Sequence, residues 1–328
     1  VQEFINLGAV LLNLPPGAGK SLASCLILNH FRGKVLILVD STFLEGQWHN
    51  RLKRWAPRAN VTVSTYQGAQ RYAKEKWDLI LPDEAQRLPA TTFSKLAFIQ
   101  TLYRCGLTAT PWREDNRQHL IVALCGHPVS ISWNRLMALG VLKTPRIVVV
   151  TVPTLEAKTG YTKSLLSKHK GRGLIYCDWL EQGENLAKTL DVPFIQGSTK
   201  NKLEVLEANK VVVVSRVGDR GLDIRDLNFV VEVAGAGTSR EQFAQRVGRL
   251  LHSQFNGIFY TVFTPDELTR YRSRLWGVEA ETGGAVEIEF IEVGKVPVAD
   301  SRSRVRAAAD VSRKRDNRRK KADENDEI

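Results

Sequence analysis

Short runs of consecutive apolar residues alternate with stretches of helical period through the first half of the chain. Ala9–Leu14, Val35–Asp40, Val61–Tyr66, Trp77–Leu81 and Gly106–Thr110 read as strands, and Ser21–His30, Glu45–Trp55 and Thr92–Gln100 as the helices between them. Strands apolar on both sides of the pleat belong in a sheet covered on both faces. Their alternation with helices predicts βαβ units and parallel pairing. The second half repeats the pattern, with strands at Gly173–Cys177, Val192–Ile195, Val211–Val214, Phe229–Val233 and Ile258–Phe263. Its helices are expected at Glu181–Leu190, Lys200–Glu207 and Ser239–Leu251. The expected fold class is α/β, with two tandem domains, each a mostly parallel sheet flanked by helices. The polar stretch Thr151–Arg172 places the connection between them near residues 145–155. We expect a first domain at 1–148, a second at 149–298 and a tail at 299–328.

Composition adds limits. A chain of 328 residues, 43% hydrophobic and 25% charged, is long enough for two independent cores. No apolar run reaches the length of a membrane-spanning helix. The opening VQEFINLGAV lacks the basic-then-apolar order of a signal peptide, and it lacks Met, so the chain is expected to be processed or part of something longer. Cys25, Cys105, Cys125 and Cys177 form no CxxC pair, which argues against a zinc site or a disulfide framework and suits a cytoplasmic setting. The net charge of +12 points to a polyanionic partner. Part of that charge is local: residues 301–328 hold ten Lys/Arg against six Asp/Glu. With almost no large apolar side chains this tail cannot bury enough surface to order itself, and it reads as a disordered phosphate grip or a docking segment for a protein partner.

The strongest chemical signal is Leu14-Pro-Pro-Gly-Ala-Gly-Lys-Ser21, between an apolar strand and a helical pattern. That setting is what a phosphate-binding loop needs. Pro16, Gly17, Ala18 and Gly19 would wrap backbone N–H groups around an anion at the helix N-terminus. Lys20 would reach the β- and γ-phosphates, and the Ser21 hydroxyl would ligate magnesium. Leu14 stands where the general pattern has glycine. A second signal is the acidic pair Asp83-Glu84 at the end of the strand WDLIL. Asp83 would hold magnesium, and Glu84 would orient or deprotonate the attacking water.

The order of motifs resembles the superfamily 2 helicases over residues 8–265. PPGAGKS is similar to motif I, VDSTFLEGQW to motif Ia and VSTYQ to motif Ib. DEAQ is similar to motif II and Leu107-Thr-Ala-Thr-Pro111 to motif III. GLIYC resembles motif IV, the segment Val214–Ile224 motif V, and Gln245-Arg-Val-Gly-Arg249 motif VI. The triplet Arg113-Glu114-Asp115 just after motif III, with GQW and STYQ, looks like the XPB-type DNA helicases. Two positions depart from the family: His252 replaces a second arginine of motif VI, and only Gln2 is available as an adenine-reading residue.

The resemblance implies two RecA-like domains with ATP and magnesium between them. It implies Arg249 and Arg246 reaching the γ-phosphate from the second domain, and Gln86 bridging to Thr108 and Thr110. Gly221 and Asp223 would sense nucleotide and nucleic-acid backbone, while Arg113, Glu114 and Asp115 would open duplex DNA. The partner would be DNA, single-stranded or duplex, held without sequence preference, with RNA possible and a monomer expected. Trp48, Trp55, Trp112 and Trp133 are candidates to stack bases, although core packing accounts for most of them. The alternatives to a DNA helicase or translocase are an RNA helicase with the same motor and a nucleic-acid-binding scaffold with a degenerate one.

Overall fold

The computed structural model describes residues 2–90, 99–109, 117–219, 224, 226–233, 240–251, 256–281 and 286–294. Its strands are β1 (Ala9–Asn13), β2 (Val35–Val39), β3 (Val61–Thr65), β4 (Trp77–Pro82), β5 (Thr101–Thr108), β6 (His127–Ser130), β7 (Arg146–Thr151), β8 (Arg172–Tyr176), β9 (Phe194–Ile195), β10 (Val211–Val214), β11 (Leu227–Glu232), β12 (Ile258–Phe263) and β13 (Ile288–Glu292). The α-helices are α1 (Gln2–Leu7), α2 (Lys20–Leu28), α3 (Thr42–Trp55), α4 (Gln118–Cys125), α5 (Trp133–Ala138), α6 (Leu155–Lys168), α7 (Leu180–Leu190), α8 (Lys202–Ala208), α9 (Arg240–Gly248) and α10 (Pro265–Glu281).

The strands form two sheets, in the orders β3-β2-β4-β5-β1-β6 and β13-β7-β12-β11-β8-β10-β9. The pairings within the first sheet are parallel, as are those from β7 through β9 in the second. β2 shows why: all five residues of VLILV are buried. Alternate residues face separate apolar layers, Val35, Ile37 and Val39 in one and Leu36 and Leu38 in the other. Burying one such side chain stabilises by about 1.5–3 kcal/mol. None of the described helices is long and apolar enough to cross a membrane.

Two readings of the sequence are corrected. The region taken as an interdomain connection is ordered structure: β7 pairs with β12, and α6 follows it directly. β7 therefore crosses the boundary expected at 148/149. The helix escaped notice because its buried face is polar. Lys158, Thr162 and Leu165, spaced by four and three residues, lie inward, and Thr154 caps the first turn by accepting from the Ala157 N–H. The expected helix Thr92–Gln100 lies mostly outside the described residues, as does the tail from 299.

Candidate functional site

In an open parallel sheet, ligands bind beyond the carboxyl ends of the strands. β1, β4 and β5 carry the first group of candidates there. The Leu14 N–H donates to the Thr108 carbonyl (3.1 Å), which ties the loop after β1 to the end of β5. Gly17 and Gly19 both have φ of 82°. This is the left-handed region that penalises an L side chain. A Cβ on Gly19 would meet nothing within 4 Å, so the backbone angle rather than crowding requires glycine. No side chain caps α2 at Gly19. First-turn N–H groups have no partner within their own helix, and with the dipole behind them they suit an anion. Lys20 curls back and donates from Nζ to the carbonyls of Leu14 (3.0 Å) and Pro15 (3.3 Å). Burial pushes its pKa down, while Glu84 and Asp83 pull it back up. Ser21 follows in the same turn.

Asp83 is pinned between strands. Its N–H donates to the Leu38 carbonyl (2.8 Å), and it bridges to Leu107. Its Oδ2 accepts from Trp48 Nε1 (2.9 Å), its Oδ1 from the Glu84 N–H (3.1 Å), and its carbonyl from the Tyr66 hydroxyl (2.8 Å). Burial, reinforced by Glu84, pushes the Asp83 carboxyl up to about 6, and the Trp48 N–H works against that rise. Trp48 gets there through the period of α3: Leu44, Trp48 and Leu52 form one buried face, below a Ser41 cap.

Glu84 has φ 54° and ψ 55°. Asn and Asp tolerate this conformation through their short side chains; Glu has no such excuse. Among the described residues, the other non-glycine positions at positive φ are Asp191, Asn201 and Asp226. Strain of this kind clusters at functional positions. The Glu84 carboxylate accepts from Gln86 Nε2 (2.7 Å), and Gln86 Oε1 accepts from Thr108 Oγ1 (2.8 Å). Gln86 and Thr108 are both buried. A relay of side chains thus joins the end of β4 to the end of β5, and through the Thr108 carbonyl to the phosphate-loop candidate.

The second sheet contributes α9. A Cβ on Gly248 would lie 2.4 Å from Pro16 Cβ, so only glycine permits this approach. Leu251 shares an apolar cluster with Trp133, Leu136 and Leu142, against which Ala18 packs. Arg249, between these two contacts in sequence, donates from one guanidinium nitrogen to the Gly218 carbonyl (3.3 Å).

Arg246 differs from expectation. It is fully buried, and its guanidinium donates to Glu232 Oε1 (2.6 Å) and Asp178 Oδ1 (2.8 Å) over the Tyr176 ring. Arg274 and Thr261 bind the other Glu232 oxygen at 2.6 and 2.9 Å. Burial alone would push the Glu232 carboxyl up; Arg274 and Arg246 hold it below its usual value. The charge of Arg246 is matched inside the second sheet rather than presented to a ligand. Asp178 and Glu232 were missed in the sequence, although each is an acid closing an otherwise apolar strand run.

Trp48 and Trp133 are buried core, and Trp55 is half-buried. Thr110, Trp112, Arg113, Glu114, Asp115, Gly221, Asp223 and His252 lie outside the described residues. Among the described residues there is no cluster of three or more His, Cys, Asp or Glu placed to hold a metal.

Two parallel sheets flanked by helices, with this loop and acidic pair at one sheet's carboxyl edge, define a protein of two RecA-like domains. Residues 145–273 match the ERCC3/RAD25/XPB C-terminal helicase family. A putative DNA 3'-5' helicase Rad25 of Halobacterium salinarum is 31% identical, over 84% of this chain and 55% of that protein. The DNA 3'-5' helicase XPB of Kineococcus radiotolerans is 28% identical, over 92% of this chain and 65% of its own length. The chain spans about half the length of the Rad25 relatives, 55% and 49%. Among solved structures, Saccharomyces cerevisiae Dbp5 bound to RNA and ADP BeF3 superposes with a TM-score of 0.66, covering 88% of this chain and 86% of that one. At 14% identity that likeness is one of fold. Its family match over 145–273 and its relatives make the chain similar to the XPB-type helicases of superfamily 2.

Proposed function

We propose that the chain is an ATP-dependent motor that moves along or unwinds DNA. The observation that carries this reading is the continuous link from the loop after β1, through Thr108 and Gln86, to Glu84 and Asp83. Such a link lets the state of a bound phosphate reach the end of β5, where the Arg113-Glu114-Asp115 segment departs. The names of the Rad25 and XPB relatives support DNA as the track.

The residues fit ATP and magnesium. The α2 N-terminus without a side-chain cap suits the phosphates. A carboxyl raised by burial and by an acidic neighbour is one that a divalent cation would relieve. Magnesium ordinarily takes one or two protein ligands plus phosphate oxygens, which Asp83 and Ser21 would supply. The cation would supply charge neutralisation at the phosphates. Lys20 would exchange its loop carbonyls for phosphate oxygens. Glu84, held by Gln86, would orient the attacking water. Arg249 would meet the γ-phosphate across the Gly248–Pro16 contact, and Arg246 would position α9 for it. Gly221 and Asp223 are assigned to sensing nucleotide, and Thr110 to the Thr108 relay. The lobes are assigned with their junction ahead of β7, at 145/146 rather than 148/149, the second lobe running to 298 and 299–328 forming a basic tail that adds a phosphate grip.

Steady-state ATPase activity tests this, measured alone and with single-stranded DNA, duplex DNA and RNA at equal nucleotide concentration. Stimulation by DNA above RNA is expected. Stimulation by RNA alone would overturn the DNA assignment, and no turnover under any condition would overturn the motor.

A further inference from the structure

Among the described residues, the most exposed aromatic of the second sheet lies outside the motifs. Trp179 is 62% exposed and the adjoining Leu180 is 53% exposed. They follow β8 directly, where Trp179 precedes the first turn of α7. β8 lies beside β10, and β10 beside β9, all parallel. The segments leaving these three strands therefore emerge at one sheet edge. The segment after β10 brings Arg216, whose side chain is 62% exposed and whose Nε lies 3.7 Å from Asp178 Oδ1. The segment after β9 carries the exposed Lys200 and the half-buried Lys202. The opposing charges are Glu181, exposed in the first turn of α7, and Glu204, exposed in the first turn of α8.

Asp178 does not cancel Arg216. It is already held by the buried Arg246, which leaves most of the Arg216 charge for solvent or a ligand. An exposed indole with cations beside it is the combination that holds an unpaired nucleotide: the ring stacks on the base, and the cations meet the phosphates. Stacking does not distinguish bases, so it suits a partner held without sequence preference. Exposure of an indole of this size has no role in the core, and the chain's net charge of +12 favours a polyanion over an apolar protein surface.

We infer that Trp179 is a stacking platform for an unpaired base of single-stranded DNA, with Arg216 and the β9–α8 segment gripping the flanking phosphates. This deepens the proposed function and rests on it. The probes are an oligothymidylate and an abasic oligomer of the same length and charge, with binding followed by fluorescence anisotropy on the full chain. Trp179→Ala is expected to bind oligothymidylate roughly tenfold more weakly, the scale of one lost stacking contact. It should bind the abasic oligomer as the wild type does, and Trp179→Phe should recover most of the loss. ATPase activity without polynucleotide should be unchanged in both variants. Wild-type tryptophan emission should be quenched by oligothymidylate, and this quench should shrink in Trp179→Phe.

Equal binding of oligothymidylate by wild type and Trp179→Ala would overturn the stacking role and leave the motor standing. An equal loss on both probes would also overturn it, by showing that Trp179 acts on the backbone or on local folding. A wild type that binds neither probe and gains no turnover from DNA would overturn both readings.

Discussion

Replacing Trp48 with Phe removes one N–H from the carboxylate of Asp83 and leaves the aromatic face of α3 in place. In the wild type that N–H lies 2.9 Å from Oδ2 and opposes the rise of a carboxyl already at about 6. At pH 7 such a group is about 90% ionised. A hydrogen bond to a charged group contributes roughly 1.5–3 kcal/mol, which corresponds to about 1–2 pH units. The loss moves the carboxyl further up, to roughly 7–8, and leaves about half to a tenth of it ionised at pH 7. Only the ionised form binds a cation well. The acid limb of kcat/KM, which reports the free protein, should therefore shift upward by about one to two units. At pH 7 kcat/KM should fall about two- to tenfold, and the loss should vanish near pH 9. The smaller ring should also cost about 1–2 kcal/mol of stability, so a melting curve at each pH separates unfolding from titration. An acid limb unmoved in a folded Trp48→Phe protein would refute the reasoning, because the N–H would then have no hold on Asp83.

Three further outcomes follow from the same geometry. Glu84→Gln should retain nucleotide binding by equilibrium dialysis while turnover falls by at least ~10²; unchanged turnover would remove Glu84 from the chemistry. Arg246→Met should destabilise by about 3–5 kcal/mol, because it removes the buried positive charge that Glu232 and Asp178 share, whereas Arg249→Ala should melt near the wild-type temperature and lose ~10³ in kcat. The reverse pattern would exchange their roles. Gly248→Ala should slow turnover without lowering the stability of either sheet, since its Cβ would collide with Pro16; wild-type kcat would show that this contact is not formed during the cycle.

The parallel sheets were legible because β2 and β10 are apolar without a break, and the phosphate-loop candidate stood out because its residue types sit between a strand and a helix. Elements whose buried faces are not apolar escaped. In α6 the inward positions are Lys158 and Thr162, made acceptable by partners distant in sequence: Lys158 Nζ donates to the Val233 carbonyl at 2.8 Å and pairs with Glu267 at 2.5 Å. β6 escaped because HPVS is exposed at all four positions and carries proline, which an edge strand tolerates. The acidic pair was readable, but its supports were not. GQW and STYQ register as motifs toward nucleic acid, while the folded chain turns Trp48 and Tyr66 inward onto Asp83. Trp179 was hidden for the opposite reason, since nothing in GLIYCDWL says which side of the strand end faces water.

The order of strands in the first sheet also bears on how the chain comes off the ribosome. β2, β3 and β4 can pair as they are made, but β1, the first of the described strands, pairs with β5 and β6, Val10 meeting Cys105 and His127. Until residues 101–108 have been synthesised, β1 lacks both of its partner strands, β5 and β6. Contacts this far apart along the chain form slowly, and an unpaired strand in the meantime is prone to capture by another chain. The loop proposed to hold nucleotide hangs from β1, so it takes its shape among the last parts of that sheet. A nascent chain halted before β5 would hold the loop's sequence without the loop.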